Sequence, residues 1–152
     1  MRRETALVAG CLVLASITVL VSAVATTWAV ADGASPAIRV PFRLICHGFA
    51  GRCFVIAKVP MPICARCTAI WGGLLVGAAA FPLVRVAVRQ FPLGALLVAV
   101  LPLAIDGFTQ ALGLRESTNE IRALTGVVAG LAFALWALAN IDREIRSEAE
   151  AP

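Results

Sequence analysis

Residues Cys46–Cys67 read CHGFAGRCFVIAKVPMPICARC and form a polar segment between long apolar ones. This segment holds four of the five cysteines and the only histidine, together with Arg52, Lys58 and Arg66. Thiols, an imidazole and cations rarely collect between hydrophobic segments without a common role. We therefore expect the other polar residues of the chain to fold back to this segment and to form one site with it.

The composition indicates a protein whose solvent is lipid. Of the 152 residues, 61% are hydrophobic and 14% are charged, and the mean hydropathy is +0.92. A soluble domain is about half apolar and a quarter charged, and one of this length could not bury so much apolar surface. The lipid bilayer is the expected partner. The net charge of +4 fits anionic head groups, and because no basic run is interleaved with aromatics we expect no nucleic acid.

Four apolar segments are long enough to cross a bilayer as helices, which takes about 20 residues. They are residues 5–31, 68–84, 91–112 and 123–141. Residues 32–67 are rich in proline and predict a structured interfacial loop with short helical turns. Within a bilayer only helices or closed barrels satisfy their backbone groups. The sequence therefore predicts an all-α, membrane-embedded four-helix bundle, one transmembrane domain over residues 1–152, with a Cys/His-containing loop between helices one and two.

The first apolar segment allows three interpretations. Val8-Ala9-Gly10-Cys11 is similar to a lipoprotein cleavage box, but too few apolar residues precede Cys11 to form a signal-peptide core. Ala29-Val30-Ala31 is similar to a signal-peptidase site, but the apolar run before it is longer than such a core. We favour an uncleaved spanning helix in which Cys11 is a small core residue.

Pairs of glycines spaced four apart indicate where helices approach closely. Gly73 and Gly77 lie in the second segment, and Gly126 and Gly130 lie in the fourth. Small residues at this spacing let helix backbones come into contact within a membrane. They would also permit self-association, so a homo-oligomer is a candidate assembly. At the start of the fourth segment, Ser117–Glu120 predicts a capping box.

Chain topology predicts that several helix ends meet at one membrane face. Loops one and three of a serial bundle lie on the same side, so the start of helix two, the end of helix three and the start of helix four come together. The polar residues at these ends are the candidate catalytic residues: Arg66, Asp106, Gln110, Asn119 and Arg122. An ionised Asp106 within the membrane is costly unless paired, and we expect Arg66 and Arg122 as its partners. Alternatively, the Asp106–Arg122 pair only fixes helix packing.

The cysteines suggest a metal site. Cys64 and Cys67 form a CxxC motif at a helix start, where free amides, the helix dipole and Arg66 favour the thiolate. With Cys46 and His47 they offer three sulfurs and one imidazole, a ligand set that suits zinc. Because neighbouring residues rarely bind one ion together, we expect at most one of Cys46 and His47 to be essential. Redox chemistry and simple packing remain open alternatives for the same thiols.

Three ordered sequence blocks carry a resemblance to a known family. They read CHxxxxRxF, PxCARCT and DGxTQxxGxRxSTNxxRxxTGxxxG and fall within residues 43–130. They resemble small prokaryotic membrane proteins grouped as domain of unknown function 2085. The resemblance implies a fold and a site but no activity. The positions that it singles out are Cys46, His47, Arg52, Cys64, Arg66, Cys67, Asp106, Gly107, Gln110, Ser117, Asn119, Arg122 and Gly126.

The chain departs from that family pattern at several positions. Gly48 stands where glutamine is common, Ala50 where proline is common and Cys53 where serine is common. Ala69 and Trp71 replace the usual glycine and tyrosine. The resemblance therefore makes Cys53 the loop cysteine least expected to be essential, and position 48 offers no side-chain amide.

Three classes of function fit these residues. The first is a metal site, with zinc as the cofactor, beside polar groups that handle an anionic lipid or small-molecule ligand. The second is a membrane thiol–disulfide oxidoreductase that uses Cys64 and Cys67, with an architecture similar to that of the vitamin K epoxide reductase family. The third is a non-enzymatic scaffold or partner subunit. We expect a multi-pass protein of the cell membrane, and the even split of basic residues between the two faces leaves its orientation open.

Overall fold

The computed structural model describes residues 3–150, and four long helices dominate it. They are α1 (Arg3–Ala31), α2 (Ala65–Val84), α3 (Leu93–Ala111) and α4 (Asn119–Glu150). All four are long and apolar enough to cross a membrane. The predicted four-helix bundle is therefore confirmed. The fourth helix is longer than predicted, since it continues through the charged segment after residue 141.

The segment between α1 and α2 is structured, as predicted, but it is not purely helical. It begins with two 3₁₀ helices, Pro36–Leu44 and Ala50–Arg52. An antiparallel hairpin follows, made of β1 (Cys53–Ile56) and β2 (Val59–Cys64). The all-α class holds for the bundle, and the hairpin is a short addition that the sequence did not predict. Its turn residues Ala57 and Lys58 both have positive φ, 49° and 66°, a conformation that usually calls for asparagine or glycine.

The hairpin is held by its contact with α1. Ile63 of β2 is fully buried, and it shares a hydrophobic cluster with Met61 and with Ala23 of α1. Cys53 pairs with Cys64 across the two strands. Because β2 leads directly into α2, this packing fixes where α2 begins.

Helix α1 has one face inside the bundle and one face outside it. Ala9, Ser16 and Ala23, spaced seven apart, are buried, and Thr5 Oγ1 donates to Asp142 Oδ1 of α4 at 3.2 Å. Large apolar side chains form the outer face, which suits lipid: Leu7, Leu14, Val21 and Trp28. Cys11 is exposed as well. The prediction that Cys11 is a core residue is wrong, because its position on the helix turns it away from the bundle.

Helices α2 and α4 approach backbone to backbone through the two glycine pairs. An added Cβ on Gly73 would lie 2.3 Å from the Val127 carbonyl oxygen, and one on Gly130 would lie 2.3 Å from the Ile70 carbonyl oxygen. The predicted close approach is therefore made within the chain. These glycines are covered, so they give no support to self-association, which stays a prediction.

The start of α4 differs from the predicted capping box. The backbone N–H of Ile121 donates to Thr118 Oγ1 at 3.4 Å, so the threonine caps the helix. Ser117 Oγ instead lies 3.4 Å from the carbonyl oxygen of Thr118. The cap is shifted by one residue because α4 begins at Asn119 rather than directly after Ser117.

We expect Gly73→Ala to destabilise the fold, because the new methyl group would have to push α4 away from α2. Overpacking of this kind costs about 1–3 kcal/mol. Gly72→Ala is the matched control, since nothing lies within 4 Å of a Cβ at Gly72 and alanine favours the helix. Thermal unfolding of both variants in detergent measures the difference. Equal midpoints for the two variants would contradict the close α2–α4 contact.

Candidate functional site

Three cysteine sulfurs form a cluster at the start of α2. The Sγ atoms of Cys46, Cys64 and Cys67 all lie within 4.8 Å of one another, and no disulfide joins cysteines in the described part of the chain. Backbone amides point at two of these sulfurs. Cys46 Sγ accepts from the N–H of Gly48 at 3.4 Å and from the N–H of Cys64 at 3.2 Å, and Cys64 Sγ accepts from the N–H of Cys67 at 3.5 Å. Such donors stabilise thiolates.

Gly48 lets the chain turn around the first sulfur. Its φ is +60°, and an added Cβ would lie 2.8 Å from the carbonyl oxygen of Pro62. A side chain at this position would therefore push the Cys46 loop away from β2. The glycine that departs from the family pattern is thus required by the local backbone of this chain.

The two cysteines at the hairpin ends have opposite electrostatic environments. Cys64 is the N-cap of α2, and its hydrogen bond with the Cys67 side chain is the main cause that lowers the pKa of Cys64 to about 5; burial opposes this shift. Burial raises the pKa of Cys53 to about 11. The hydrogen bonds at Cys64 therefore favour the thiolate form there, whereas burial favours the neutral thiol at Cys53.

Two polar residues of the hairpin region lie outside the sulfur cluster. His47 stacks on the ring of Phe49, with 6.1 Å between ring centroids, and it is not a member of the group of three sulfurs. Of the four predicted metal ligands, the structure thus brings three together, and His47 lies outside this group although it lines the same cavity. Cys53 is buried, and its thiol donates to the Phe49 carbonyl oxygen at 3.1 Å.

The candidate catalytic residues form one connected network beside the sulfurs. Asp106 of α3 is buried and pairs with Arg66 of α2 through Oδ2 and with Arg115 through Oδ1, the latter at 2.7 Å. Gln110 Nε2 donates to Asp106 Oδ2 at 2.8 Å. The expected Asp106–Arg66 pair is therefore present.

Arg122 continues the network but does not pair with Asp106. Its Nη2 donates to Gln110 Oε1 at 2.9 Å, and its Nη1 donates to Asn119 Oδ1 at 2.9 Å. Asn119 Nδ2 in turn donates to the Cys53 carbonyl oxygen at 3.2 Å. The predicted Asp106–Arg122 salt bridge is wrong, because Gln110 lies between the two groups and Arg115 takes the second carboxylate oxygen.

Sulfurs and arginines share one cavity of about 230 Å³. Its cationic lining residues are Arg52, Arg66 and Arg122, and no aspartate or glutamate of residues 3–148 lines it. Nε of Arg66 is buried and has no hydrogen-bond partner among the described residues. A buried N–H without a partner costs about 1–3 kcal/mol. The site therefore combines three closely spaced cysteines with an unsatisfied donor and cationic walls.

Arg115 is the site residue that sequence reasoning missed. It follows α3 in the turn before α4, where a basic residue is ordinarily solvated, and its side chain is 48% exposed. It stands nine residues after Asp106. Neighbours on one face of a helix are three or four residues apart, so this spacing does not predict a contact. The signal that could have found it is the arginine inside the third sequence block, where the chain bends back over α3.

A family model described as "Predicted membrane protein (DUF2085)" matches residues 46–136, which is more than half of the chain and includes all three sulfurs and the polar network. The chain belongs to this family. The resemblance seen in the sequence is thereby confirmed. The apolar helices described above agree with membrane localisation of this DUF2085 protein.

Two archaeal relatives are similar to this DUF2085 protein. An uncharacterized protein of Methanocaldococcus jannaschii is 40% identical over 100 residues, which cover 64% of this chain and 64% of the relative. An uncharacterized protein of Methanothermobacter thermautotrophicus is 38% identical over 94 residues, which cover 62% of this chain and 85% of the relative. The chain thus spans less than two thirds of the length of the Methanocaldococcus relative. No solved structure matches this chain.

Replacing Asp106 by asparagine should destabilise the protein strongly. The change leaves the mostly buried Arg66 without its carboxylate, and an uncompensated buried charge costs about 3–5 kcal/mol. Arg115→Gln removes the half-exposed partner instead, and we expect about 0–1 kcal/mol. Thermal unfolding in detergent compares the two variants. If Arg115→Gln lowers stability as much as Asp106→Asn, the Arg66–Asp106 pair is not the main contact of the network.

Proposed function

We propose that this DUF2085 protein is a multi-pass protein of the cell membrane that binds zinc through Cys46, Cys64 and Cys67 and holds an anionic ligand beside the metal. The observation that carries the proposal is the shared cavity. The same space is lined by all three sulfurs and by Arg52, Arg66 and Arg122.

The sulfur cluster fits a zinc ion by size and by chemistry. Zinc takes thiolates at about 2.3 Å in a tetrahedron, so bound sulfurs lie about 3.8 Å apart, and the present limit of 4.8 Å requires only a small contraction. The N–H groups directed at Cys46 and Cys64 stabilise the charged sulfurs. Three protein ligands leave the fourth position of a tetrahedral ion open, as in catalytic zinc sites.

The arginines support an anionic ligand next to that open position. Three thiolates and one zinc ion together carry a net charge of about −1. The three arginines that line the cavity carry more positive charge than is needed to balance it. Arg122 is fixed by Gln110 and Asn119, whereas Nε of Arg66 has no partner among the described residues. A phosphate or carboxylate oxygen suits guanidinium groups because it accepts two parallel N–H bonds. The cavity lies at the helix ends, so lipid head groups and small anions are both candidates.

Purified full-length protein should contain about one zinc ion per chain, as measured by elemental analysis. Cys64→Ser and Cys67→Ser should each lose most of it, because a hydroxyl is a poor zinc ligand. Cys53→Ser and Cys11→Ser are matched controls that should keep the zinc. The Cys53 thiol donates to the Phe49 carbonyl oxygen, and Cys11 is exposed on α1. Less than about 0.2 zinc per chain with intact thiols would exclude the metal site.

The anion half of the proposal has its own test, with inorganic phosphate as the probe and calorimetry on the zinc-loaded protein. Arg66→Gln should weaken phosphate binding roughly tenfold, as expected for a lost charged hydrogen bond. Arg52→Gln, at an exposed position, should weaken it less and keeps the test valid if the first variant fails to fold. Arg43→Gln is the control because Arg43 does not line this cavity. Equal effects of all three variants would contradict the proposed ligand position.

A thiol–disulfide oxidoreductase is the second candidate, favoured by the low pKa of Cys64 in a CxxC motif. Mass-tag counting of free thiols in cells distinguishes the two functions. The zinc site keeps Cys64 and Cys67 reduced and metal-protected. A Cys64–Cys67 disulfide in a large fraction of the protein, with little zinc, would favour the oxidoreductase instead.

A further inference from the structure

A second cavity, of about 260 Å³, lies at the opposite end of the bundle from the sulfur cluster. It is formed where α2 ends, by the turn of residues 85–90 and by the last turns of α4. Phe81 and Ala139 supply its apolar wall. Four arginines from two separate segments line the rest: Arg85, Arg89, Arg143 and Arg146.

The positive charge of this cavity is largely uncompensated. Among the described residues, Asp142 is the only acid that lines the cavity, and it is already engaged by Arg146 Nη2 at 2.8 Å and by Thr5 Oγ1 at 3.2 Å. Arg143 donates to a neutral group, Asn140 Oδ1, at 2.7 Å. Neither Arg85 nor Arg89 has an ion-pair partner among the described side chains. Four cations and one anion leave a net charge of +3.

The surroundings of the cavity are those of a lipid-facing helix end. Leu83 and Val86, on either side of Arg85 in the chain, are 86% and 77% exposed. A molecule whose anionic group occupies the arginine cavity could thus lay an apolar chain along the outside of α2, where Val76 is exposed as well. The volume is below the usual range for whole drug-sized ligands, so it suits a head group alone.

We propose that this cavity binds the phosphate of an anionic phospholipid head group. Guanidinium groups match phosphate oxygens through paired N–H donors, and basic pockets between spanning helices are suited to phosphate head groups. Orientation in the membrane needs only charge near a helix end. It does not require four arginines from two segments to converge on one partly apolar cavity. The inference rests on the membrane insertion proposed above and is independent of the metal site.

The test measures the thermal unfolding midpoint of the delipidated full-length protein in detergent. Three additions are compared at equal concentration: phosphatidylglycerol, zwitterionic phosphatidylcholine and inorganic phosphate. We expect phosphatidylglycerol to raise the midpoint most, because it brings both the anionic phosphate and the acyl chain. Titration of the midpoint shift gives an apparent affinity for each addition.

Single substitutions then locate the effect. Arg85→Gln and Arg89→Gln should each weaken phosphatidylglycerol binding about fivefold, the effect expected for one cation near a membrane surface. Arg3→Gln is the matched control, because it removes the same charge at the same end of the bundle without lining the cavity. Arg89 is exposed, so Arg89→Gln should fold even if Arg85→Gln does not.

Each outcome decides the inference. A preference for phosphatidylglycerol that falls in the cavity variants but not in Arg3→Gln supports it. Equal stabilisation by inorganic phosphate, lost in the same variants, overturns the lipid and assigns the cavity to a free anion. No preference over phosphatidylcholine, or an equal loss in Arg3→Gln, overturns the site and reduces the arginines to general surface charge. The zinc content of these variants should not change, so failure here is distinguishable from failure of the metal site.

Discussion

The backbone contact between α2 and α4 is the constraint from which the site follows. An added Cβ on Gly126 would lie 2.7 Å from the carbonyl oxygen of Arg66, so the first turn of α2 touches α4 one turn beyond Arg122. Because only glycine and alanine face each other in this contact, the helices bring Arg66 and Cys67 close to the turn that carries Arg122. Two neighbouring arginines would otherwise repel each other, and the oxygens of Asp106 and Gln110 separate them. The packing of α2 against α4 therefore also determines which side chains meet in the site.

The polar network shows how a lipid-soluble bundle can hold ionised groups. Each carboxylate oxygen of Asp106 forms a salt bridge with an arginine, and Oδ2 also accepts a hydrogen bond from Gln110. Two cations and one amide therefore stabilise its negative charge. Gln110 acts as a relay, since its amide donates to the acid and its oxygen accepts from Arg122. Apart from Nε of Arg66, each of these groups thereby has a partner in the next, and a buried polar network stabilises a fold to the extent that its groups are paired. The hairpin joins this network through the Cys53 carbonyl oxygen.

Much of this arrangement could be predicted from the sequence, because the strongest signals were long uninterrupted apolar segments. Hydrophobic length gave the four helices, and the alternation of loops brought Arg66, Asp106 and Arg122 to one face. The hairpin could not be predicted, because Pro60 and Pro62 argue against a strand and Ala57-Lys58 is a poor turn. Its two strands have no further neighbours in the described structure, so these prolines break no ladder. The pairing of Arg122 with Gln110 rather than Asp106 depended on atomic distances that spacing alone does not encode.

The left-handed turn at Ala57 and Lys58 has a consequence for motion. A residue with a side chain in that conformation costs about 1–2 kcal/mol, so the tip of the hairpin opens at a lower free energy than the helices. An opening that also broke the hydrogen bonds from Arg39 to the Pro60 and Met61 carbonyl oxygens would loosen β2 and the amide of Cys64, which donates to Cys46 Sγ. Such a fluctuation would reach one side of the thiol cluster and leave the close contact between α2 and α4 intact. The rate at which a ligand of the three sulfurs exchanges would then depend on local opening of the β1–β2 hairpin. It would not require unfolding of the helical bundle.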